Sequence, residues 1–208
     1  MNSPLCINSP ARIEMPLLVL AALIVASFFL VEWCGAPVVA ALEFRRQAID
    51  DGEIWRLFTG NFTHFGGYHT GMNAAGWAAL VAILFRYLPA FWLAVGALFV
   101  PLAVGVGLYM FAGDLGVYRG FSGANYGLLA MGLLLVLPQQ HKLYGFAYCI
   151  VLGKIIYEQL PGYNVDYLQD EMGVPVAIEA HLAGFCGGTL IGGSVLLRRF
   201  LGRSASKK

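Results

Sequence analysis

Charge is scarce in this chain. Lys, Arg, Asp and Glu make up 12% of its 208 residues, against about 25% in an ordinary soluble domain. The 13 basic and 12 acidic side chains leave a net charge of +1, so there is no basic field of the kind a nucleic-acid partner requires. Cysteine is sparse too. Cys6, Cys34, Cys149 and Cys186 show no paired spacing, and the last two fall in apolar runs. They read as small hydrophobes rather than a disulfide framework. Bulky Trp33 directly before Cys34 argues against a lipid-attachment cysteine. His64, His69 and His181 lack a metal-site pattern, since the first two are five apart, point in different directions on a helix, and have no acid between them. No metal or other cofactor is expected. Internal repeats and low-complexity tracts are also lacking, which leaves one domain over residues 1–208.

Apolar residues are what the chain has in excess, at 59% of the total with a mean hydropathy of +0.70. Six runs approach the length of a membrane-crossing helix: 15–33, 69–87, 90–112, 122–137, 143–160 and 176–197. The expected fold is an all-α polytopic bundle of six transmembrane helices. Small residues at Ala40 and Ala41 would suit cleavage of a signal peptide, but the n-region is weakly basic, with Glu14 beside Arg12. The first run is therefore read as a retained span.

An even number of spans puts both termini on one side. Arg12, Arg86, Lys142, Arg198, Arg199, Arg203, Lys207 and Lys208 fall on that side, and Arg45, Arg46, Arg56 and Arg119 on the other. The positive-inside rule makes the first side the cytosol, with residues 1–14 as a cytosolic segment and 202–208 as a basic cytosolic tail. Most acids, among them Glu43, Asp50, Asp51, Glu53, Asp114, Asp166, Asp170 and Glu171, lie outside. The outer segment 35–68 is too long for a simple connector and is expected to pack on the bundle or lie in the interface. The loop 161–175, punctuated by Gly162, Gly173 and Pro175, reads as a mobile cap.

Polar groups inside a membrane are costly, and those present mark candidate function. Ser122 opens the fourth run, between Gly120 and Gly123, where a helix N-terminus offers free N–H groups and the positive end of a dipole. Taken alone it could be a simple N-cap. His181, in the sixth run, enters from the same side and can serve as its base. His69 and Asn73, four apart on one face of the second run, can donate toward a common point as oxyanion stabilisers must. Tyr126, one turn after Ser122, can stack on the imidazole. Glycines at 123 and 127, and at 184 and 188, form two small faces whose apposition would join the serine helix to the histidine helix. Glu179 is two residues from His181 and points elsewhere, so a Ser–His dyad is expected rather than a triad.

Trp55-Arg56, His64, His69, Asn73, Gly120-x-Ser122-Gly123, Tyr126 and Ala180-His181-x2-Gly184-x3-Gly188 resemble the distributed signature of rhomboid intramembrane serine proteases. The resemblance implies Ser122 as nucleophile, His181 as general base, and His69 and Asn73 beside the Ser122 N–H in an oxyanion hole. It implies that Trp55 and Arg56 are a structural pair of the first loop. The stretches 153–162 and 176–184 further resemble the rhombosortase branch, with the departure that Tyr126 stands where many of that branch carry histidine. This implies substrates that are transmembrane proteins with a C-terminal Gly-Gly tail and helix, and a place in the bacterial inner membrane with the site open to the periplasm. Lys154 and Glu158, four apart, are expected to pair near the end of the fifth run, and by the same resemblance their face can receive the substrate tail. A general rhomboid protease and an inactive, client-escorting relative are the alternatives. A transporter would need a polar path through the bilayer, whereas these polar residues gather at one end.

Overall fold

The computed structural model describes residues 14–163 and 173–205. Each of the six apolar runs contains a helix: α1 (Met15–Trp33), α5 (Gly66–Ile83), α6 (Ala90–Phe111), α7 (Ser122–Val136), α8 (His141–Glu158) and α9 (Ile178–Ala205). The segment between α1 and α5 holds three short helices, α2 (Ala36–Leu42), α3 (Arg46–Asp50) and α4 (Arg56–Thr59). It also holds strand β1 (Phe44–Arg45), which pairs antiparallel with β2 (Val117–Tyr118) in the register Phe44↔Tyr118 and Arg45↔Val117. Among the described residues three helices, α1, α6 and α9, are long and apolar enough to cross a membrane. Large apolar side chains such as Leu23, Phe29, Phe91, Phe99 and Ile150 stand exposed around the bundle, as expected of a multi-pass membrane protein whose outer faces meet lipid. The proposed cap lies largely outside the described residues, as do Arg12, Lys207 and Lys208, the acids at 166, 170 and 171, and Cys6.

The segment 35–68 packs on the bundle as expected, and hydrogen bonding to exposed backbone fixes it there. Arg46 donates to the carbonyls of Leu108, Tyr109 and Ala112, each at 2.8 Å, where the C-terminal turn of α6 leaves acceptors unsatisfied. Arg56 is buried and donates to the carbonyls of Ala40 at 2.7 Å and Glu43 at 2.9 Å. Trp55 is half exposed and ties its ring N–H to the Ala41 carbonyl at 3.2 Å. Asn61 bridges inward to the carbonyl of Pro101, 3.0 Å away within α6. Glu43, fully buried, accepts from both Arg45 and Arg119. That last pair ties the segment to the residues leading into α7.

The core of the bundle is the contact of α7 with α9, and glycine makes it. A Cβ on Gly123 would press on the Ala180 carbonyl, one on Gly127 on the Gly184 carbonyl, one on Gly184 on the Gly123 carbonyl, and one on Gly188 on the Gly127 carbonyl. The two helices therefore touch backbone to backbone, which only residues without side chains permit. Around this seam Phe28, Trp77, Phe85, Phe121, Leu128 and Met131 form the main apolar cluster. α7 has 15 residues, so it rises about 22 Å, short of a hydrocarbon core of about 30 Å. Its first turn therefore sits inside the bundle.

Gly184→Ala is expected to lower the thermal unfolding temperature, at a cost of roughly 1–3 kcal/mol for an overpacked contact. Gly193→Ala, on the same helix with nothing near its missing Cβ, is expected to unfold at the wild-type temperature or slightly above.

Candidate active site

Four elements converge on the start of α7. Gly120 has φ of 131°, a region L side chains rarely adopt, and a Cβ there would lie 2.7 Å from His69 Cε1. Glycine thus makes the turn and admits the histidine. The turn is anchored from outside by Arg119, whose guanidinium pairs with Glu43 and lies 4.9 Å from the centre of the Phe65 ring. From inside, the Tyr118 hydroxyl donates to the Gly120 carbonyl at 2.6 Å. Burial pushes the Tyr118 phenol well above its ordinary range, opposed in part by hydrogen bonds with the Gly123 backbone and Ser122.

Phe121, not Ser122, is the N-cap of α7, and no side chain caps the helix. The capping role open to Ser122 from sequence is therefore not the one it takes. Its Oγ lies 3.0 Å from His181 Nε2. His181 sits in the first turn of α9, which begins at Ile178 rather than two residues earlier. The Tyr126 ring centre is 4.6 Å from that of His181, with the planes tilted by 48°.

The expectation that no acid completes the group is corrected here. Glu158 Oε2, at the end of α8, lies 3.0 Å from His181 Nδ1. Glu158 is 1% exposed and His181 6%. An ionised carboxylate has no hydrogen to give, so Nδ1 carries the proton and Nε2 is left to accept from Ser122. The other Glu158 oxygen accepts from Lys154, the expected i,i+4 pair. Both oxygens are thus engaged. Glu158 is not visible from the neighbourhood of His181 in the chain, since it meets the ring across the bundle, 23 residues away. The signal was present, since an acid deep in an apolar helix needs a partner.

His69 and Asn73 approach Gly120 from α5. The Phe65 N–H donates to His69 Nδ1 at 3.3 Å, which puts the hydrogen of the neutral ring on Nε2, the atom that would lie 2.9 Å from a Cβ on Gly120. Asn73 gives one amide hydrogen to the His69 carbonyl at 3.0 Å, and its Nδ2 would lie 3.9 Å from the same Cβ on Gly120. A cavity of about 560 Å³ opens beside Ser122, lined also by Phe65, His69, Tyr118, Arg119 and Glu179. His64 is buried against Phe28 and His69, and neither ring nitrogen has a hydrogen-bond partner among the described residues. Burial first, and the His69 ring second, hold its pKa at about 3. Gly123, Gly184 and Gly188 act through the helix seam. Trp55 and Arg56 lie in the anchored outer segment, away from the cavity.

A serine hydroxyl on an uncapped helix start, against a histidine whose far nitrogen is bound to a carboxylate, can act as a nucleophile with a built-in base. Comparison with known families places residues 51–198 in a match to the Rhomboid domain. No curated protein matches the chain significantly.

A histidine kept neutral in the folded state binds no proton between about pH 6.5 and about 3, whereas the unfolded chain does. Stability is therefore unaffected by this group above pH 6.5 and falls as pH drops below it, by up to about 1.4 kcal/mol per unit. Denaturant unfolding of wild type and His64→Leu across that range checks this. The variant is expected to show the shallower loss.

Proposed function

Because the chain belongs to the rhomboid family, whose members are in general intramembrane serine proteases, we propose that it hydrolyses a peptide bond in or near a transmembrane segment of a substrate protein. The observation that carries this reading is the 3.0 Å approach of Ser122 Oγ to His181 Nε2, with Ser122 on the wall of a cavity of about 560 Å³. Ser122 Oγ attacks the scissile carbonyl carbon and its proton passes to Nε2. The carbonyl electron pair becomes the oxyanion, met by the N–H groups at the start of α7 and by His69 Nε2–H. Asn73, which has a second amide hydrogen to give, is the further oxyanion donor from α5. Collapse breaks the C–N bond, and the leaving amine takes the proton from Nε2. Water then repeats the sequence on the acyl ester and frees the serine.

The spans number six in this reading, with α5, α7 and α8 crossing beside the three longer helices, both termini cytosolic, and the cavity opening to the periplasmic side of the bacterial inner membrane. Arg45, Arg46, Arg56 and Arg119 belong to the outer side, yet they are spent on carbonyls at the end of α6 and on carbonyls and carboxylates of the outer segment. Anchoring explains why basic residues sit on the side the charge rule disfavours. The substrate class is a secreted protein with a C-terminal Gly-Gly tail followed by a membrane helix, which the enzyme removes. Glycines at the cleavage point suit a protease that must unwind a helix before it can reach a carbonyl. An inactive escort is disfavoured, since both Ser122 and His181 are present and in contact.

The purified protein in lipid vesicles, given a labelled Gly-Gly-tailed membrane substrate and an untailed rhomboid substrate, tests this. Wild type is expected to cleave the tailed protein, and Ser122→Ala and His181→Ala to lose roughly 10³-fold or more of the rate. Equal cleavage by all three would end the protease reading. Cleavage of the untailed substrate alone would end the sorting role and leave a general rhomboid protease.

A further inference from the structure

We propose that Glu158 is the third member of a Ser122–His181–Glu158 relay, a positioning residue that acts on the serine through the imidazole. This rests on the serine-protease reading above and deepens it. Three observations carry it. The carboxylate is buried, at 1% exposure, and one oxygen lies 3.0 Å from His181 Nδ1. It arrives from α8, which packs on α7 and α9 through Ala130, Ile155 and Phe185 and through a Tyr148–Thr189 hydrogen bond of 2.8 Å, and the contact with His181 lies apart from the glycine seam. Its charge is also provided for. Lys154 pairs with the second oxygen, and the Lys154 ammonium lies 4.8 Å from the centre of the Tyr126 ring, whose other neighbour is the His181 ring. Lys154, Glu158, His181 and Tyr126 thus form a closed circuit of contacts behind Ser122.

Burying a carboxylate costs several kcal/mol unless it is paired and fully hydrogen-bonded, and a pure ion pair at a helix end could have been left at the surface. Here the carboxylate reaches inward while the half-exposed ammonium stays at the rim. The chemical return is specific. Accepting the Nδ1 hydrogen locks the tautomer that presents a lone pair to Ser122, and it fixes the plane of the ring. When the serine proton moves to Nε2, the imidazolium forms beside an existing negative charge. Glu158 takes up no proton at any step; it holds the Nδ1 hydrogen bond throughout the cycle, while the proton shuttles between Ser122 Oγ, Nε2 and the leaving amine. Glutamine at this position would turn a donor toward Nδ1, favour the opposite tautomer and put a hydrogen between Nε2 and the serine.

Reaction of Ser122 with a fluorophosphonate needs no natural substrate and reads serine reactivity directly. Labelling rates are compared in vesicles for wild type, Glu158→Gln, Glu158→Asp and Ser122→Ala, with melting temperatures alongside. Glu158→Gln is expected to label about 10²-fold or more slowly at an unchanged melting temperature, Glu158→Asp to recover part of the rate, and Ser122→Ala not to label. The wild-type protein is also expected to show a low-field proton resonance on His181 Nδ1, a signature of the carboxylate bond that needs no variant. Labelling of Glu158→Gln within twofold of wild type, or absence of that resonance from reactive wild-type protein, would overturn the relay and leave the protease reading standing. Labelling of Ser122→Ala at the wild-type rate would overturn the protease reading itself.

Discussion

Backbone contact between α7 and α9 is the constraint on which everything else depends. Four glycines, at 123, 127, 184 and 188, let two helices approach until carbonyls of one occupy the space where side chains of the other would be. In lipid no hydrophobic force drives helices together, so such close packing, with its many small dispersion contacts, is what holds them. The consequence is geometric. Ser122 and His181 each lie on the first turn of their helix, and the seam begins there, at Gly123 and Ala180. The packing that stabilises the bundle also sets the 3.0 Å between hydroxyl and imidazole.

The outer segment does the complementary work from above. Its arginines are consumed by acceptors that the helices leave open: Arg46 by the last carbonyls of α6, Arg56 by the turn after α2, Arg119 by buried Glu43. These bonds, with the short β1–β2 pair, fix the turn at Gly120 that delivers Ser122 to the cavity. Basic residues on this face therefore contribute to a rigid rim rather than to a surface potential. The same logic runs through α8, where Lys154 lets Glu158 lie deep enough to meet His181.

Much of this was legible in the sequence wherever the signal was local. Runs of apolar residues gave helices within a few positions, the paired glycine spacings gave the seam, and the scarcity of polar groups in apolar runs singled out Ser122, His69, Asn73 and His181. What escaped is what depends on elements distant in the chain. Glu158 is 23 residues from His181 and reads as half of a helical ion pair. Tyr118, Arg119 and Glu43 look like ordinary loop residues until β1 pairs with β2. Asn73 shares a face with His69 by spacing, yet its amide turns back onto its own helix, a choice that periodicity does not determine. Likewise α5 and α8 are helices of 18 residues interrupted by polar groups, among them His69, Asn73 and Glu158.

The central claim is that one serine, held at a buried helix start against one histidine, is the reactive group of this membrane protein. Peptide mapping by mass spectrometry after exposure of the vesicle-embedded protein to a fluorophosphonate tests it most directly. One phosphonyl adduct per chain, confined to Ser122, is the predicted result. An unmodified protein, or adducts spread over Ser27, Ser194 and other serines at similar yield, would contradict it.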